Sequence, residues 1–254
     1  MADPPSCGWG EGHISGWSLH YAAIYWIAVQ NWLGTTTYTT PGRWKLNTSP
    51  MIILGGGGHA KIVIDAARTQ LVDIVALYDD NPMLHQTSIL GIPVLGKLDD
   101  ANRQKDSVSA HVAIGSNAAR KLVAEKINCH WTTIHHSRAC VSSQAIIGKG
   151  CFVGALAVVQ VDATVGNHVI INTAAIVEHD AHIGSYVHIG PGACLAGNVS
   201  VGEGTLIGSH ATVLPGIQMG SWCVVGAGAV VTRNILDGQR VAGVPAKLLE
   251  GAGR

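Results

Sequence analysis

Residues 141–236 divide without remainder into sixteen hexads: VSSQAI, IGKGCF, VGALAV, VQVDAT, VGNHVI, INTAAI, VEHDAH, IGSYVH, IGPGAC, LAGNVS, VGEGTL, IGSHAT, VLPGIQ, MGSWCV, VGAGAV and VTRNIL. The first residue, from Val141 through Ile171 and Val201 to Val231, is aliphatic in all sixteen. The fifth, from Ala145 to Ile235, is always small or β-branched, and the second is glycine nine times. A helix cannot use a six-residue period, because 3.6 residues per turn would smear these aliphatics around its surface. Short parallel strands joined by tight turns can. The first-position aliphatic then points into a narrow prism, the fifth residue fits its wall, and glycine is expected to relieve the backbone at the corners. Three hexads close one triangular coil, so the sixteen make a little over five coils. A sandwich with chance alternation would not hold its period for 96 residues. Flat sides and unpaired end coils predict an oligomer.

The composition fits such a scaffold. Of 254 residues, 32 are glycine and only 13% are charged, against roughly a quarter in an average domain. Sixteen Lys plus Arg balance sixteen Asp plus Glu, so no basic face is announced and nucleic acid is not an expected partner. No run approaches the ~18 apolar residues of a membrane span. The six cysteines (7, 129, 140, 151, 194 and 223) are scattered without a CxxC pair or secretory signal. Reduced thiols and a cytoplasmic location are expected.

Ahead of the hexads, MIILGGGGHAKIVIDAARTQ (51–70), LVDIVALYDD (71–80), GIPVLG (91–96) and SAHVAIGSNAARKLVAEKI (109–127) alternate apolar runs, glycine loops and helical patterns. They predict a small parallel α/β sheet over residues 51–135, with the prism over 136–250. Gly55-x-Gly57-x-x-Ala60 fits a dinucleotide fingerprint, with Asp79 and Asp80 about 20 residues on. Glycines let backbone approach phosphate, a helix N-terminus offers free N–H groups, and a carboxylate accepts from ribose hydroxyls. Those features bind a nucleotide without naming NAD. A domain of about 85 residues is half a full dinucleotide fold, which tilts against an NAD oxidoreductase. A plain tight β-α turn is the other reading of the loop. Residues 1–50 hold five of the seven Trp and no period. They read either as an appended or mis-assigned segment, with Met51 the true start, or as a partner-binding extension.

Most hexads are bland, so departures stand out. INTAAI and VEHDAH replace the second-position glycine with Asn172 and Glu178. His179, between Glu178 and Asp180, falls at a corner where side chains face out of the prism. A carboxylate beside a histidine orients the ring and raises its pKa, which makes a general base. A solvated turn histidine is the bland alternative in a chain with thirteen. His182 and His188 follow, and His179, His182 and His188 could in principle gather around zinc with Asp180 as a fourth ligand. Successive prism corners do not give 179 and 182 the one-face geometry of a helical HxxH, so no metal is expected. None of the cysteines lies beside the base in sequence, so no acyl-enzyme nucleophile is evident.

The hexads resemble the left-handed parallel β-helix of the hexapeptide-repeat acyltransferases. The succession GGGGHA, LYDD, VAIGSNAARK, INTAAIVEHDAHIG, HIGPGACLAGNVSVG and VAGVPAK resembles, more narrowly, the sugar O- and N-acyltransferases of the sialic-acid O-acetyltransferase type, over about 51–250. The resemblance implies a Rossmann-like nucleotide-sugar domain before a left-handed β-helix, in a homotrimer with active sites between subunits. It implies acetyl-CoA as cosubstrate and acetylation of the 4-amino group of a UDP- or GDP-linked sugar, as in bacillosamine or perosamine biosynthesis, for surface polysaccharide. His179 then becomes the base and Asp180 its enhancer. His188 would lie against the thioester, and Ser209 and Ala227 along the CoA arm. Gly57, Gly58, His59, Asp79, Asp80 and Gly115 would hold the nucleotide sugar. The loop departs from the pattern in carrying four glycines where relatives often have Ser or Ala, which should loosen phosphate contact. O-acetylation of a sugar such as sialic acid, and a non-catalytic nucleotide-sugar-binding scaffold, are the alternatives.

Overall fold

The structure, a computed structural model, describes residues 50–104 and 108–249; the reading of residues 1–49 lies outside them. The first described strand, β1 (Met51–Leu54), is buried along its whole length. It leads through Gly55–Gly57 into α1 (Gly58–Arg68), whose Ala60, Val63, Ile64 and Ala67 form the buried stripe. β2 (Ile74–Tyr78), β3 (Ser88–Ile89), β4 (Ile92–Gly96) and β5 (Ser109–Val112) follow, then α2 (Asn117–Lys126) and β6 (His130–Trp131). The six strands lie in the order β3-β4-β2-β1-β5-β6, parallel except for β3 against β4. β2 and β5 flank β1 on opposite sides. The chain therefore reverses its winding direction there, and such a switch opens a crevice beyond the strands' carboxyl ends.

From Ile134 to Val231 the chain forms a three-sided parallel β-helix of two-residue strands, closed by a three-residue strand, Arg240–Ala242, and an antiparallel partner, Lys247–Leu248. Phe152 pairs with Ile170, Ile170 with His188, and His188 with Leu206, so each rung meets the one 18 residues on. That is the three-hexad coil. From Val153 to Val231 every first-position residue is buried, and Val141 and Ile147 pack against the same core.

The glycines act differently from expectation. From Gly150 to Gly228 it is the fourth residue of each hexad, not the second, that takes a left-handed backbone, with φ between 54° and 72°. Leu156, His168, Asp180, Tyr186 and Trp222 all adopt it. The N–H groups of His168, Asp180, Tyr186 and Trp222 donate to third-position carbonyls of the preceding coil, as from Tyr186 to Asn167 at 2.8 Å, which offsets the strain of a side chain there. Second-position glycine answers to packing between coils. A Cβ on Gly208 would lie 2.5 Å from the Ala227 nitrogen.

The sheet and the prism share a core. Ile134, Phe152 and Ile170, which stack on one prism face, pack with Val63, Ile64 and Ala67 of α1. His188 continues that column one rung further, half-buried, and Leu206 beyond it is exposed. His188 thus marks the edge of the seam between the two layers.

Candidate active site

At the switch point lies a cavity of about 510 Å³ lined by Gly57, Gly58, His59, Asp79, Asp80 and Gly115, with Leu98 and Ile114 beside them. All six residues expected to hold the nucleotide sugar therefore converge. Gly57 caps α1 without any side-chain hydrogen bond, which leaves first-turn N–H groups for a ligand. A Cβ on Gly57 or Gly58 would meet nothing within 4 Å, whereas one on Gly55 would strike Ile114 at 2.7 Å. The loop is tight behind and open toward the cavity.

Asp79 does more than line the site. Its Oδ2 accepts from the Gly56 N–H at 2.6 Å and its Oδ1 from the Asn81 N–H at 2.8 Å. The carboxylate braces the glycine loop and keeps only its remaining lone pairs for a ligand. Asp80 Oδ1 accepts from the Leu98 N–H at 3.1 Å.

His59 packs edge-on against Phe152 at 5.2 Å and 6.5 Å from His188. Its Nε2 is buried and has no partner among the described residues. Burial, then His111, His188 and Arg120, push its pKa down to about 3, so the ring is neutral. Burial and then Arg120 hold His188 at about 4. The Asn172 amide reaches His188 Nε2 at 3.2 Å, its orientation fixed because its Oδ1 accepts from the Thr173 N–H at 2.8 Å. The Gly115 backbone works weakly against burial and Arg120, favouring the protonated ring. His188 Nε2 is thus engaged within the chain, and its ring lies 6.5 Å from that of His59, which lines the nucleotide cavity.

His179 occupies another corner. Its Nδ1–H donates to Asp180 Oδ2 at 2.7 Å, and both side chains are 58% exposed. This hydrogen bond raises the His179 pKa above its ordinary value. With Nδ1 committed, Nε2 presents its lone pair outward. Gly197, one coil further, leaves the room: a Cβ there would stand 2.6 Å from the His179 ring.

Ser209 and Ala227 stack on successive coils of a corner different from that of His179, their turns linked by the Gly228 N–H donating to the Ser209 carbonyl at 2.8 Å. His182 lies on a third surface, the five-stranded face, in a shallow groove of about 750 Å³ with Thr164, Ser200 and Gln218. The three histidines weighed as a metal set are therefore spread over a corner and two faces. Among the described residues no group of three or more His, Cys, Asp or Glu is placed to hold a metal ion. None of their helices is long and apolar enough to cross a membrane.

Two contributions to this geometry escaped sequence reasoning. Gly197 carries no signal apart from the hexad position it shares with His179. Arg120 reads as one more surface cation of α2, yet it is 1% exposed. Its register with buried Val123 and Ala124 was the available clue.

A switch-point crevice before a hexad coil that carries a corner His–Asp pair places the chain among the left-handed β-helical acyltransferases. Residues 50–127 match the PglD N-terminal domain family, and residues 144–173 and 198–233 the hexapeptide repeat of succinyl-transferase. The structure of GDP-perosamine N-acetyltransferase from Caulobacter crescentus, in complex with CoA and GDP-perosamine, is 36% identical, with a TM-score of 0.76 over 79% of this chain and 97% of that one. The acetyltransferase domain of PglB from Neisseria gonorrhoeae, in complex with acetyl coenzyme A, is 38% identical, with a TM-score of 0.76 over 80% of this chain and 100% of that one. WeeI from Acinetobacter baumannii is 28% identical, with a TM-score of 0.72 and the same coverage. The uncharacterized protein L142 of Acanthamoeba polyphaga mimivirus is 30% identical over 111 residues, and the chain spans 22% of its length. The chain belongs to the hexapeptide-repeat sugar acyltransferases with a PglD-type N-terminal domain.

Proposed function

We propose that the protein transfers acetyl from acetyl-CoA to the 4-amino group of a UDP- or GDP-linked sugar, with His179 as general base. The observation that carries this reading is the pairing of an open glycine-loop cavity with an outward-facing His179 whose Nδ1 is held by Asp180. The amine nitrogen attacks the thioester carbonyl, its proton passes to His179 Nε2, and the carbon–sulfur bond breaks to release CoA thiolate. That thiolate takes the proton back from the imidazolium, so the base is regenerated. The likeness to GDP-perosamine N-acetyltransferase and to the acetyl-CoA-bound PglB domain supports the choice of substrates.

Residues 51–135 would bind the nucleotide sugar, His59, Asp79, Asp80 and Gly115 lining its cavity, and residues 136–250 would carry out the transfer in the cytoplasm. The corner of Ser209 and Ala227 would hold the CoA arm. Because that corner is not the corner of His179 within one chain, a homotrimer that sets one subunit's base beside another's CoA corner completes the site.

Release of CoA thiol from acetyl-CoA, measured with UDP- and GDP-linked 4-amino sugars and their 4-hydroxy counterparts, tests the reading. Turnover with an amino sugar alone supports it. Turnover only with hydroxyl acceptors replaces it by O-acetylation, and silence with a folded protein that binds acetyl-CoA rejects it. The pH profile tests the base separately. Asp180 holds the His179 pKa up, so Asp180→Asn should let it fall toward 6.5 and shift the acidic limb of kcat/KM to lower pH. An unmoved limb would remove His179 from the reaction.

A further inference from the structure

Arg120 is fully buried, and among the described residues no carboxylate pairs with it. An unpaired ion in the interior costs several kcal/mol unless hydrogen bonds satisfy it. Here the guanidinium fork collects acceptors from both layers of the molecule. Nη1 donates to the carbonyls of Ile114 and Gly115 at 3.0 and 3.2 Å, just past β5 and on the wall of the cavity. Nε donates to the His168 carbonyl at 2.8 Å and Nη2 to the Tyr186 carbonyl at 2.7 Å, on two successive coils of the prism. Nη2 also reaches Asn117 Oδ1 at 2.9 Å within α2. A lysine, with three donors at one point, cannot span these directions.

Gly115 is the junction. It lines the cavity, and its carbonyl accepts from Arg120. His188 follows directly on Tyr186 and Val187, whose carbonyls face the guanidinium. We propose that Arg120 is a positioning residue: its guanidinium locks the Gly115 wall of the cavity to the coil rung that presents His188, so that nucleotide pocket and prism move as one piece. The assignment of a role in transfer rests on the proposed function; the mechanical lock does not. The charge has a second effect on the same ring. The titratable and charged groups facing His188 are His59 from α1 and Arg120 from α2, with uncharged Asn172 on the coil before. Burial and Arg120 together keep His188 neutral, able to hydrogen-bond without adding charge beside the cavity.

Arg120→Lys, which keeps the charge and loses the fork, decides the matter, with Arg120→Met as the variant that loses both. In the ligand-free protein, amide exchange in residues 113–117 and 186–188 should quicken together by about tenfold in Arg120→Lys, while the coil around Ile207 and Val213 stays protected. In turnover, kcat/KM for the nucleotide amino sugar should fall by about 100-fold, mostly through KM, with the KM for acetyl-CoA changed by less than about twofold. By NMR the His188 ring should titrate higher in Arg120→Met than in Arg120→Lys. Unchanged exchange in both segments of Arg120→Lys overturns the proposal, as does exchange that quickens uniformly over the fold. Should Arg120→Met fail to fold, Arg120→Lys alone carries the result. Should Arg120→Lys show the coupled quickening while wild-type protein acetylates no nucleotide sugar, the functional reading fails and the lock stands.

Discussion

His179→Ala is expected to lower kcat by about 10²–10⁴-fold, the usual contribution of a positioned general base, and to leave the fold unchanged. The side chain is 58% exposed and its one side-chain hydrogen bond goes to the adjacent Asp180. No buried apolar surface is lost, so the melting temperature should stay where it is. Nucleoside diphosphate binding should also persist, because the residues lining the glycine-loop cavity lie in the sheet layer, away from the His179 corner. Loss of turnover with intact binding and melting isolates the chemistry. Full turnover in this variant would mean that the amine loses its proton elsewhere.

The prism was legible in the sequence because every rung obeys the same packing constraint. One aliphatic must fill the axis at each hexad, and all sixteen do. The His179–Asp180 pair was legible because its partners are adjacent in the chain. The cavity was legible because each of its walls follows a strand. The left-handed corner was not: any of His168, Ala174, Asp180, Tyr186 and Trp222 fills it, stabilised by hydrogen bonds to the preceding coil, so composition leaves no mark. Nor was the covered face of the prism. Phe152, Ile170 and His188 share the sixth hexad position, and what buries the first two is α1, some 90 residues earlier. Asp79 was read as a ligand-facing acid, yet its brace on the Gly56 N–H depends on the parallel pairing of β1 with β2, which sequence spacing does not display.

The protein should unfold in mild acid. His59 has a pKa pushed down to about 3, and His111, His168 and His188 to about 4, burial being the first cause for each. In the unfolded chain all four titrate near 6.5. Between these values the unfolded state binds more protons, so stability is fully present above 6.5 and is lost as pH falls toward 4. For a fully buried group such as His111, moved from 6.5 to about 4, the loss is on the order of 3 kcal/mol. The rings interact, so their losses do not simply add. Even two such losses would take much of the roughly 5–15 kcal/mol that holds a domain together. His179 works in the opposite sense, its raised pKa favouring the folded state in acid, but it is exposed and solvent screens it. Thermal melts from pH 7.5 to pH 4 should therefore show a melting temperature that drops steeply below 6.5. The three unpartnered nitrogens among the described residues, His59 Nε2, His111 Nε2 and His168 Nδ1, explain why acid cannot be accommodated locally: a proton added to any of them would be buried without an acceptor. A melting temperature that stays level from 6.5 to 4.5 would mean that these rings find solvent or a counter-charge before the fold gives way.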